Sequence, residues 1–200
     1  MTPQPFHHGN LRAVLLDEAT AVVRESGVAG LSLRDLARRA GVSHGAPRSH
    51  FPDRGSLLDA LAERGFDRLT AAIRRALSAE GGLRARLDRV AHAYVDFAVD
   101  DSALMELMFE TKTTGRPGQV QEAAGALFEV LDGALGPPPV DESIGESRAT
   151  FKMLFAATMQ GIASLIASGR LERGAGDRLV DAAMDTLLTS DLAALAVTAR

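Results

Sequence analysis

The stretch LSLRDLARRAGVSHGAPRSHF, residues 31–51, decides the fold of the N-terminal third of the chain. Ser32 is a favourable N-cap for a helix, and Asp35 three residues later completes the pattern of a capping box. Gly41 suits the left-handed position that ends a helix. The apolar residues between these two signals recur at helical spacing and predict one buried face, formed by Leu33, Leu36, Ala37 and Ala40.

A second short helix is predicted over residues 44–50, with Ser43 as its N-cap. Its inward contacts are expected to be Val42, Ala46 and Phe51. Two helices joined by a short turn that contains glycine form the layout of a helix-turn-helix, whose second helix enters the major groove of DNA. The same spacing is also typical of an ordinary helical hairpin inside a bundle, so spacing alone leaves both interpretations open.

The outward side chains of this second helix suit nucleic acid. Arg48 can donate to O6 and N7 of guanine or to a phosphate, and His44 and Ser49 can do either more weakly. Gly45 presents bare backbone, which allows close approach to a base edge. Pro47 removes one backbone hydrogen bond, a small loss near a helix start, where most N–H groups lack an intrahelical acceptor.

Four segments of the chain resemble a known family. HHGNLR at residues 7–12, LSLRDLARRAGVS at 31–43, a third helix that ends in HF, and PDRGSLLDAL at 52–61 resemble the N-terminal domain of tetracycline-repressor-like (TetR) regulators. The remainder is similar only as a run of helices of the expected number and length. The resemblance implies a dimeric repressor that leaves its double-stranded operator DNA when a small molecule binds the C-terminal domain.

The chain departs from the family pattern at three positions. Arg48 stands where family members usually carry a tyrosine that contacts phosphate, Arg54 replaces a usual lysine, and Gly55 replaces a common acidic residue. Arg54 keeps its charge at the start of the next helix, where N–H groups also face phosphate. The expected DNA-binding residues are Ser32, Ser43, His44, Gly45, Arg48, Ser49, His50 and Arg54. The alternative is an interaction module that keeps the fold and has lost specific DNA or ligand binding.

Composition and charge limit the other functions. The 200 residues are 46% hydrophobic and include no cysteine, so a disulfide framework and a thiolate metal site are excluded. The formal net charge is −4. Residues 1–66 hold eight arginines and seven acidic residues, whereas the rest holds fourteen basic and nineteen acidic residues. A mildly cationic head on an acidic body can bind DNA when its arginines share a face.

The N-terminal residues indicate neither secretion nor metal binding. MTPQPFHHGN has no apolar signal region, and no apolar run approaches the roughly 18 residues of a membrane span. We therefore expect a cytoplasmic protein without a membrane partner. No third ligand is spaced to complete a metal site with His7 and His8, so neither a metal nor another cofactor is expected. A flexible basic arm along the DNA backbone, with Arg12 behind it, is favoured instead.

The fold class predicted for the whole chain is all-α. A three-helix DNA-binding domain is expected over residues 1–66, followed by a helical ligand-binding and dimerisation domain over residues 67–200. Within these domains we expect helices near 10–26, 54–78, 83–98, 104–109, 119–135, 142–168 and 176–198. Residues 111–118 are expected to form a polar loop, and residues 136–139, GPPP, a stiff connector.

Bulky and deformable apolar side chains of the body are the candidates for an effector pocket. Methionine lets such a surface repack around different shapes, and Tyr94 offers a polar group. Each side chain taken alone is equally typical of plain core. The predicted pocket comprises Tyr94, Phe97, Met105, Met108, Phe109, Phe128, Phe155 and Met159.

The two C-terminal helices are candidates for a dimer interface, because they are apolar and one has a face of small residues. A twofold dimer would set two reading heads about one DNA turn, ~34 Å, or a multiple apart. Alternatively, these faces simply close the core of one subunit. The predicted interface comprises Ala163, Ala167, Val180, Met184, Leu188 and Leu192.

An enzyme built on a helical bundle is the competing class. No Glu-x-x-His pair of the di-iron type is present, and no cysteine can act as a nucleophile. His92 lies one turn before Asp96, but such pairs are common on helix surfaces. The sequence therefore predicts no catalytic residues.

Overall fold

The computed structural model describes residues 11–114, 118–137 and 141–196, and every regular element in these ranges is helical. The fold class is therefore all-α, as predicted. The expected arm at His7 and His8 and half of the proline connector, residues 138 and 139, lie outside the described residues. The α-helices are α1 Leu11–Ser26, α2 Leu33–Arg39, α3 Arg54–Ser78, α4 Leu83–Asp100, α5 Ser102–Thr114, α6 Gln119–Ala134, α7 Glu142–Ala167, α8 Arg173–Leu188 and α9 Asp191–Ala196.

The chain groups into two compact units. The first draws on Met1–Gly65 and Ala103–Val120, and the second on Phe66–Ser102 and Gln121–Arg200. Nearly all of α5 therefore belongs with the helix-turn-helix, although the sequence suggested that residues 67–200 form one domain. A close approach between two helices explains this grouping. A Cβ atom added at Gly65 of α3 would lie only 2.5 Å from Sδ of Met108 on α5.

The first unit has its own hydrophobic core, formed by α1, α2, the first half of α3 and α5. A leucine-rich set of fully buried side chains fills it: Leu15, Leu36, Phe51, Leu57, Leu61, Leu104 and Met108. An ion pair between Arg64 of α3 and Asp17 of α1 lies at the edge of this core. The apolar periodicity read from residues 33–40 thus corresponds to burial of one face of α2.

Helix α7 is the centre of the second unit. It packs against α4, α8 and α9, and α4 also packs against α8. Gly176 allows the close approach of α8 to α7, because a Cβ atom there would overlap the end of the Ile166 side chain. By length and composition alone α7 could cross a membrane. Its packing against three other helices is typical of the central helix of a helical domain.

Two predicted boundaries were wrong. The expected loop at residues 111–118 is helical through Thr114, the last residue of α5. The expected single helix at residues 176–198 is instead α8 and α9, separated at Thr189 and Ser190. Hydroxyl groups explain this break. Thr189 Oγ1 donates to the carbonyl of Asp185 at 2.7 Å, and Ser190 Oγ accepts the N–H of Ala193 at 3.2 Å and so caps α9.

A buried arginine, which no sequence pattern predicted, joins three parts of the second unit. Arg148 of α7 is 2% exposed. Its Nε donates to the carbonyl of Ala196 at 3.0 Å, its Nη1 to Pro137 at 2.9 Å, and its Nη2 to Leu135 at 3.3 Å. A buried guanidinium needs such acceptors. The guanidinium of Arg148 therefore connects the C-terminal end of α6 and helix α9 to α7.

Ion pairs cross between α4 and α8. Nε2 of His92 lies 2.8 Å from Oδ1 of Asp181, and Arg173 binds both Asp96 and Asp100. His92 and Asp96 lie one turn apart in α4, and each of these side chains has a partner on α8. These contacts account for His92 and Asp96 as part of the α4–α8 packing.

Candidate nucleic-acid interface

Helix α2 begins and ends with the local interactions that its sequence predicts. Ser32 Oγ accepts the backbone N–H of Asp35 at 3.1 Å, as an N-cap does. At the other end, Gly41 has φ of 66°. The N–H of Val42 donates to the carbonyl of Ala37 at 3.0 Å, which is the Schellman arrangement. Ser32 is exposed, but the structure gives its side-chain oxygen a capping role.

The second element of the helix-turn-helix is a single 3-10 turn over Ala46–Ser49, which we call the reading turn. The predicted helix over residues 44–50 was therefore too long. Pro47 explains the difference, because it is the buried residue of the turn. Its carbonyl accepts the N–H groups of both His50 and Phe51, at 3.0 and 2.9 Å. Burial of the proline ring and of Phe51 anchors the reading turn to the first unit.

The reading turn and the residues beside it carry the predicted DNA-contacting side chains on the surface. Ser43, His44, Gly45, Arg48, Ser49 and His50 are all exposed. Ser49 Oγ donates to the carbonyl of Ala46 at 2.7 Å, so its proton is already committed within the turn. The structure thus brings six of the eight predicted residues together on one short segment.

Arg54, at the start of α3, has a structural role that sequence reasoning missed. Its Nη2 donates to the carbonyl of Val28 at 2.7 Å and its Nε to the carbonyl of Leu31 at 3.3 Å. Val28 begins a 3-10 turn, Val28–Gly30, in the connection between α1 and α2. The guanidinium therefore fixes that connection to α3, and nothing in local sequence spacing indicates acceptors 23 and 26 residues away.

Several other arginines of the first unit are committed to ion pairs. Arg39 binds Glu25 of α1 at 2.8 Å and also binds Asp35 at 3.2 Å. Arg38 binds Asp35 at 2.5 Å. The hydrogen bond from Arg38 lowers the pKa of Asp35, and that from Arg39 lowers the pKa of Glu25. The Arg39–Glu25 pair joins α2 to α1, whereas the two pairs with Asp35 lie within α2.

Arg34 and Arg48 differ from those arginines. Both side chains are exposed, and neither has an ion-pair partner among the described residues. Arg34 lies on α2 and Arg48 on the reading turn, so each element of the helix-turn-helix presents one uncommitted guanidinium. Sequence reasoning missed Arg34. Its position one turn before Arg38, away from the apolar face of α2, was the available signal.

Arg12, expected behind a basic arm, lies beside the reading turn. Its guanidinium carbon is 5.5 Å from the centroid of the Phe51 ring, within the range of a cation–π contact. Because Phe51 itself is buried, the guanidinium covers the outer face of that ring. The arm residues that precede Arg12 lie outside the described part of the chain.

The predicted effector residues do not fall in one unit. Met105, Met108 and Phe109 are on α5 in the first unit, whereas the other five are in the second. Beside Phe155, the apolar cleft in the second unit measures about 10 Å³, roughly the space of one water molecule. Tyr94 is buried, and its hydroxyl donates to Oε1 of Gln160 at 3.0 Å. Burial raises the pKa of Tyr94, so the phenol stays neutral.

The predicted dimer residues divide between the core of the second unit and its surface. Ala163, Val180 and Met184 are buried within the second unit, so the structure corrects their assignment to an interface. They face neighbouring helices of the same unit because the apolar stripe of α8 closes its own core. Ala167 is exposed, and Leu188 and Leu192 are half-buried. Sequence reasoning missed the larger exposed apolar side chains, Met153, Leu154, Leu179 and Leu195.

Comparison with known families identifies the class of protein. The family described as "Bacterial regulatory proteins, tetR family" matches residues 15–61, and "Tetracyclin repressor-like, C-terminal domain" matches residues 87–189. The chain belongs to the TetR family of transcriptional regulators. This membership and the fold indicate a non-enzymatic DNA-binding regulator.

Individual relatives agree with this class. The chain is 32% identical over 123 residues to the HTH-type transcriptional activator FasR of Mycolicibacterium smegmatis, which covers 60% of this chain and 56% of FasR. It is 36% identical over 85 residues to the repressor LfrR of the same organism, covering 42% of this chain and 44% of LfrR. The chain thus spans about half the length of the curated relatives that it matches.

Solved structures extend the likeness over almost the whole chain. A Rhodococcus sp. RHA1 protein of unknown function is 44% identical, with a TM-score of 0.79 over 92% of this chain and 97% of that protein. A TetR transcriptional regulator from the same organism is 20% identical, with a TM-score of 0.62 over 92% of this chain and all of the other. The second likeness supports the fold alone.

Proposed function

We propose that the chain is a homodimeric, ligand-responsive repressor of the cytoplasm, which binds operator DNA through its helix-turn-helix and is released by a small apolar effector. The observation that carries the DNA-binding part is the pair of uncommitted arginines. Arg34 and Arg48 are exposed on the two elements of the motif, whereas Arg38, Arg39 and Arg54 are engaged within the protein. Guanidinium groups that lack internal partners are available to phosphates and guanine edges.

The dimer that we propose uses the exposed face of α7 and α8. On α7 this face carries Leu154, Ala157, Gly161 and Ser164, and on α8 it carries Leu179, Ala182 and Thr186, all exposed. These positions recur every three or four residues, so each set forms one stripe along its helix. Small side chains allow helices of two subunits to approach closely. A twofold axis through this face would pair the two reading turns on one operator.

Release by an effector requires two conformations, one that fits DNA and one that does not. The ligand must bind the second conformation more tightly than the first. The second unit offers an apolar interior with one neutral polar pair, Tyr94 and Gln160. A ligand with a largely apolar surface suits that interior. The cleft beside Phe151 and Phe155 is too small for such a ligand, so binding must open it.

Whether the protein represses or activates transcription is a separate part of the proposal. The curated relatives include one named as a repressor and one named as an activator. The direct test is a reporter gene under the control of the DNA that flanks the chain's own gene. We expect transcription to fall when the protein is present. Higher transcription in its presence would instead identify an activator.

Operator binding itself is tested by footprinting on that same DNA at several salt concentrations. We expect a protected site of twofold symmetry whose affinity falls steeply with salt, because phosphate contacts release counterions. Unselective binding or none, up to tens of micromolar protein, would support the second candidate, an interaction module that has lost DNA recognition. The brevity of the reading turn and the arginine at position 48 are the observations that keep this candidate open.

A further inference from the structure

A cleft of about 320 Å³ lies within the first unit, away from any predicted effector residue. Helix α1, the residues that follow the reading turn, the first half of α3 and the start of α6 form its walls. Its volume falls within the range of small-molecule sites, which begins at about 300 Å³. Phe51, Ala60 and Val120 give it apolar surface, and its charged lining residues are Arg12, Asp59 and Glu63.

One wall of this cleft is negative. Asp59 and Glu63 lie one turn apart on α3, and both line the cleft. Like charges at this spacing repel each other. Neither carboxylate has an ion-pair partner among the described residues. A positively charged group between them would relieve this repulsion.

Another part of the lining is positive. The guanidinium of Arg12, held over the ring of Phe51, faces the same cleft. Gln119 and Val120 also line it, and they belong to the first turn of the 16-residue helix α6. First-turn N–H groups have no intrahelical acceptor and favour a negative group. The cleft therefore offers partners for both signs of charge within one small volume.

We propose that this cleft binds a small zwitterion of the α-amino-acid type. The ammonium group pairs with Asp59 and Glu63, the carboxylate pairs with Arg12 and the first turn of α6, and a short aliphatic side chain contacts Phe51 and Val120. A ligand with one charge would satisfy one wall and leave the other unpaired. The cleft also contacts His50, which directly follows the reading turn, so the bound ligand would lie against the DNA-reading segment.

A matched set of three probes tests the charge requirement. L-leucine carries both charged groups, 3-methylbutan-1-amine lacks the carboxylate, and 4-methylpentanoate lacks the ammonium. We expect L-leucine at millimolar concentration to raise the melting temperature and to shift the NMR signals of the His50 ring, and each single-charge analogue to bind at least about tenfold more weakly. Equal binding of all three compounds, or no binding of L-leucine, would overturn the proposal.

Variants place the ligand in the cleft. Glu63→Gln keeps the size of the side chain and removes one carboxylate charge, so L-leucine should bind about tenfold more weakly. Glu80→Gln, on an exposed residue outside the cleft, is the matched control and should leave binding unchanged. Identical affinity of the two variants would show that L-leucine binds elsewhere and would overturn the assignment. The assay needs no DNA, so its result is independent of operator binding.

Discussion

Nε of Arg148 donates a hydrogen bond to the carbonyl oxygen of Ala196 at 3.0 Å, and this contact joins α7 to the end of α9. The same guanidinium also binds the carbonyls of Leu135 and Pro137 at the end of α6. One side chain therefore satisfies carbonyl groups at two helix ends. Helix ends leave such groups without intrahelical donors.

Replacement of Arg148 should destabilise the protein strongly. Arg148→Met keeps the aliphatic stem but removes the donor to the buried carbonyl groups of Leu135 and Ala196, and each buried unsatisfied group costs about 1–3 kcal/mol. We expect a loss of roughly 3 kcal/mol or more in the free energy of unfolding, measured in urea. Arg178→Met, on the exposed surface of α8, is the control and should change stability little. A loss below about 1 kcal/mol for Arg148→Met would contradict the role given to this residue.

Arg34 and Arg48 should both contribute to operator binding. Arg34→Ala and Arg48→Ala are each expected to weaken binding by about 1–3 kcal/mol in a shift assay. The two roles are separable. A contact to phosphate lowers affinity for every sequence alike and reduces the salt dependence by about one unit, whereas a contact to a base relaxes selectivity at one position.

The control for these variants is Arg75→Ala, at the far end of α3 from the reading turn. It removes the same charge from the protein, and we expect no change in the affinity for the operator. If all three variants weaken binding equally, net charge rather than a specific contact is responsible, and the assignment of Arg34 and Arg48 fails.

Gly65 should not tolerate a larger residue. A Cβ atom there would lie 2.5 Å from Sδ and 2.8 Å from Cγ of Met108, a fully buried side chain. We expect Gly65→Ala to cost about 1–3 kcal/mol in unfolding free energy, because a packed core resists an added methyl group. Adding Met108→Ala should cost less in this background than in the wild type. Gly125→Ala, on the exposed side of α6, is the control, since nothing lies within 4 Å of the added atom.

Charge on the exposed leucines of α7 and α8 should separate the proposed dimer. Leu154 and Leu179 are 45% and 40% exposed. Leu154→Glu combined with Leu179→Glu would place four carboxylates at a twofold contact, so we expect a monomer in analytical ultracentrifugation. Leu195→Glu changes an equally exposed leucine on α9 and should leave the dimer intact. A double variant that sediments as the wild type would exclude this face.

The contact between α1 and α2 should weaken in acid. Arg39 lowers the pKa of Glu25 below 4.5, and Arg38 lowers that of Asp35 below 3.8. The unfolded chain therefore binds these protons at higher pH than the folded protein does. Their contribution to stability is complete above the ordinary pKa values and is lost as pH falls through the lowered ones.

Melting temperatures between pH 6 and pH 3 measure this effect. Wild-type protein should lose more stability over this interval than Glu25→Gln, which has no proton to gain at this position. Above about pH 5.5, where carboxylates are ionised in either state, the melting temperatures of the two proteins should differ by a constant amount, and the wild type should be the more stable. Parallel curves for the two proteins over the whole interval would show that the Glu25–Arg39 pair does not contribute.

Sequence reasoning succeeded where the determining interactions are local. The cap at Ser32 and the stop at Gly41 depend on groups within five residues, and both were predicted. The role of Arg54 depends on carbonyls more than twenty residues away, which no local pattern reveals. Pro47 was judged by helix propensity, but its burial decides its position.

The prediction of the dimer interface was wrong at Ala163, Val180 and Met184 for a different reason. Helix α7 is apolar or small on more than one side, so periodicity cannot say which side faces the core. Ala163 was expected at a subunit contact and is buried within its own unit, whereas Leu154 of the same helix is exposed. Burial in the assembled fold, rather than hydrophobicity of the residue, distinguishes the two sides.

Because Pro47 and Phe51 attach the reading turn to the core, its outward side chains can change and so give a new DNA specificity. Pro47 and Phe51 are buried, whereas His44, Arg48 and Ser49 are exposed. The Ser49 hydroxyl donates within the turn, to the carbonyl of Ala46. With the DNA contacts proposed above, exchanges at His44 or Arg48 would alter which operator sites are bound at little cost to the stability of the fold, because both side chains are exposed. Duplicated genes can diverge toward separate targets by changing two or three codons while the scaffold stays the same.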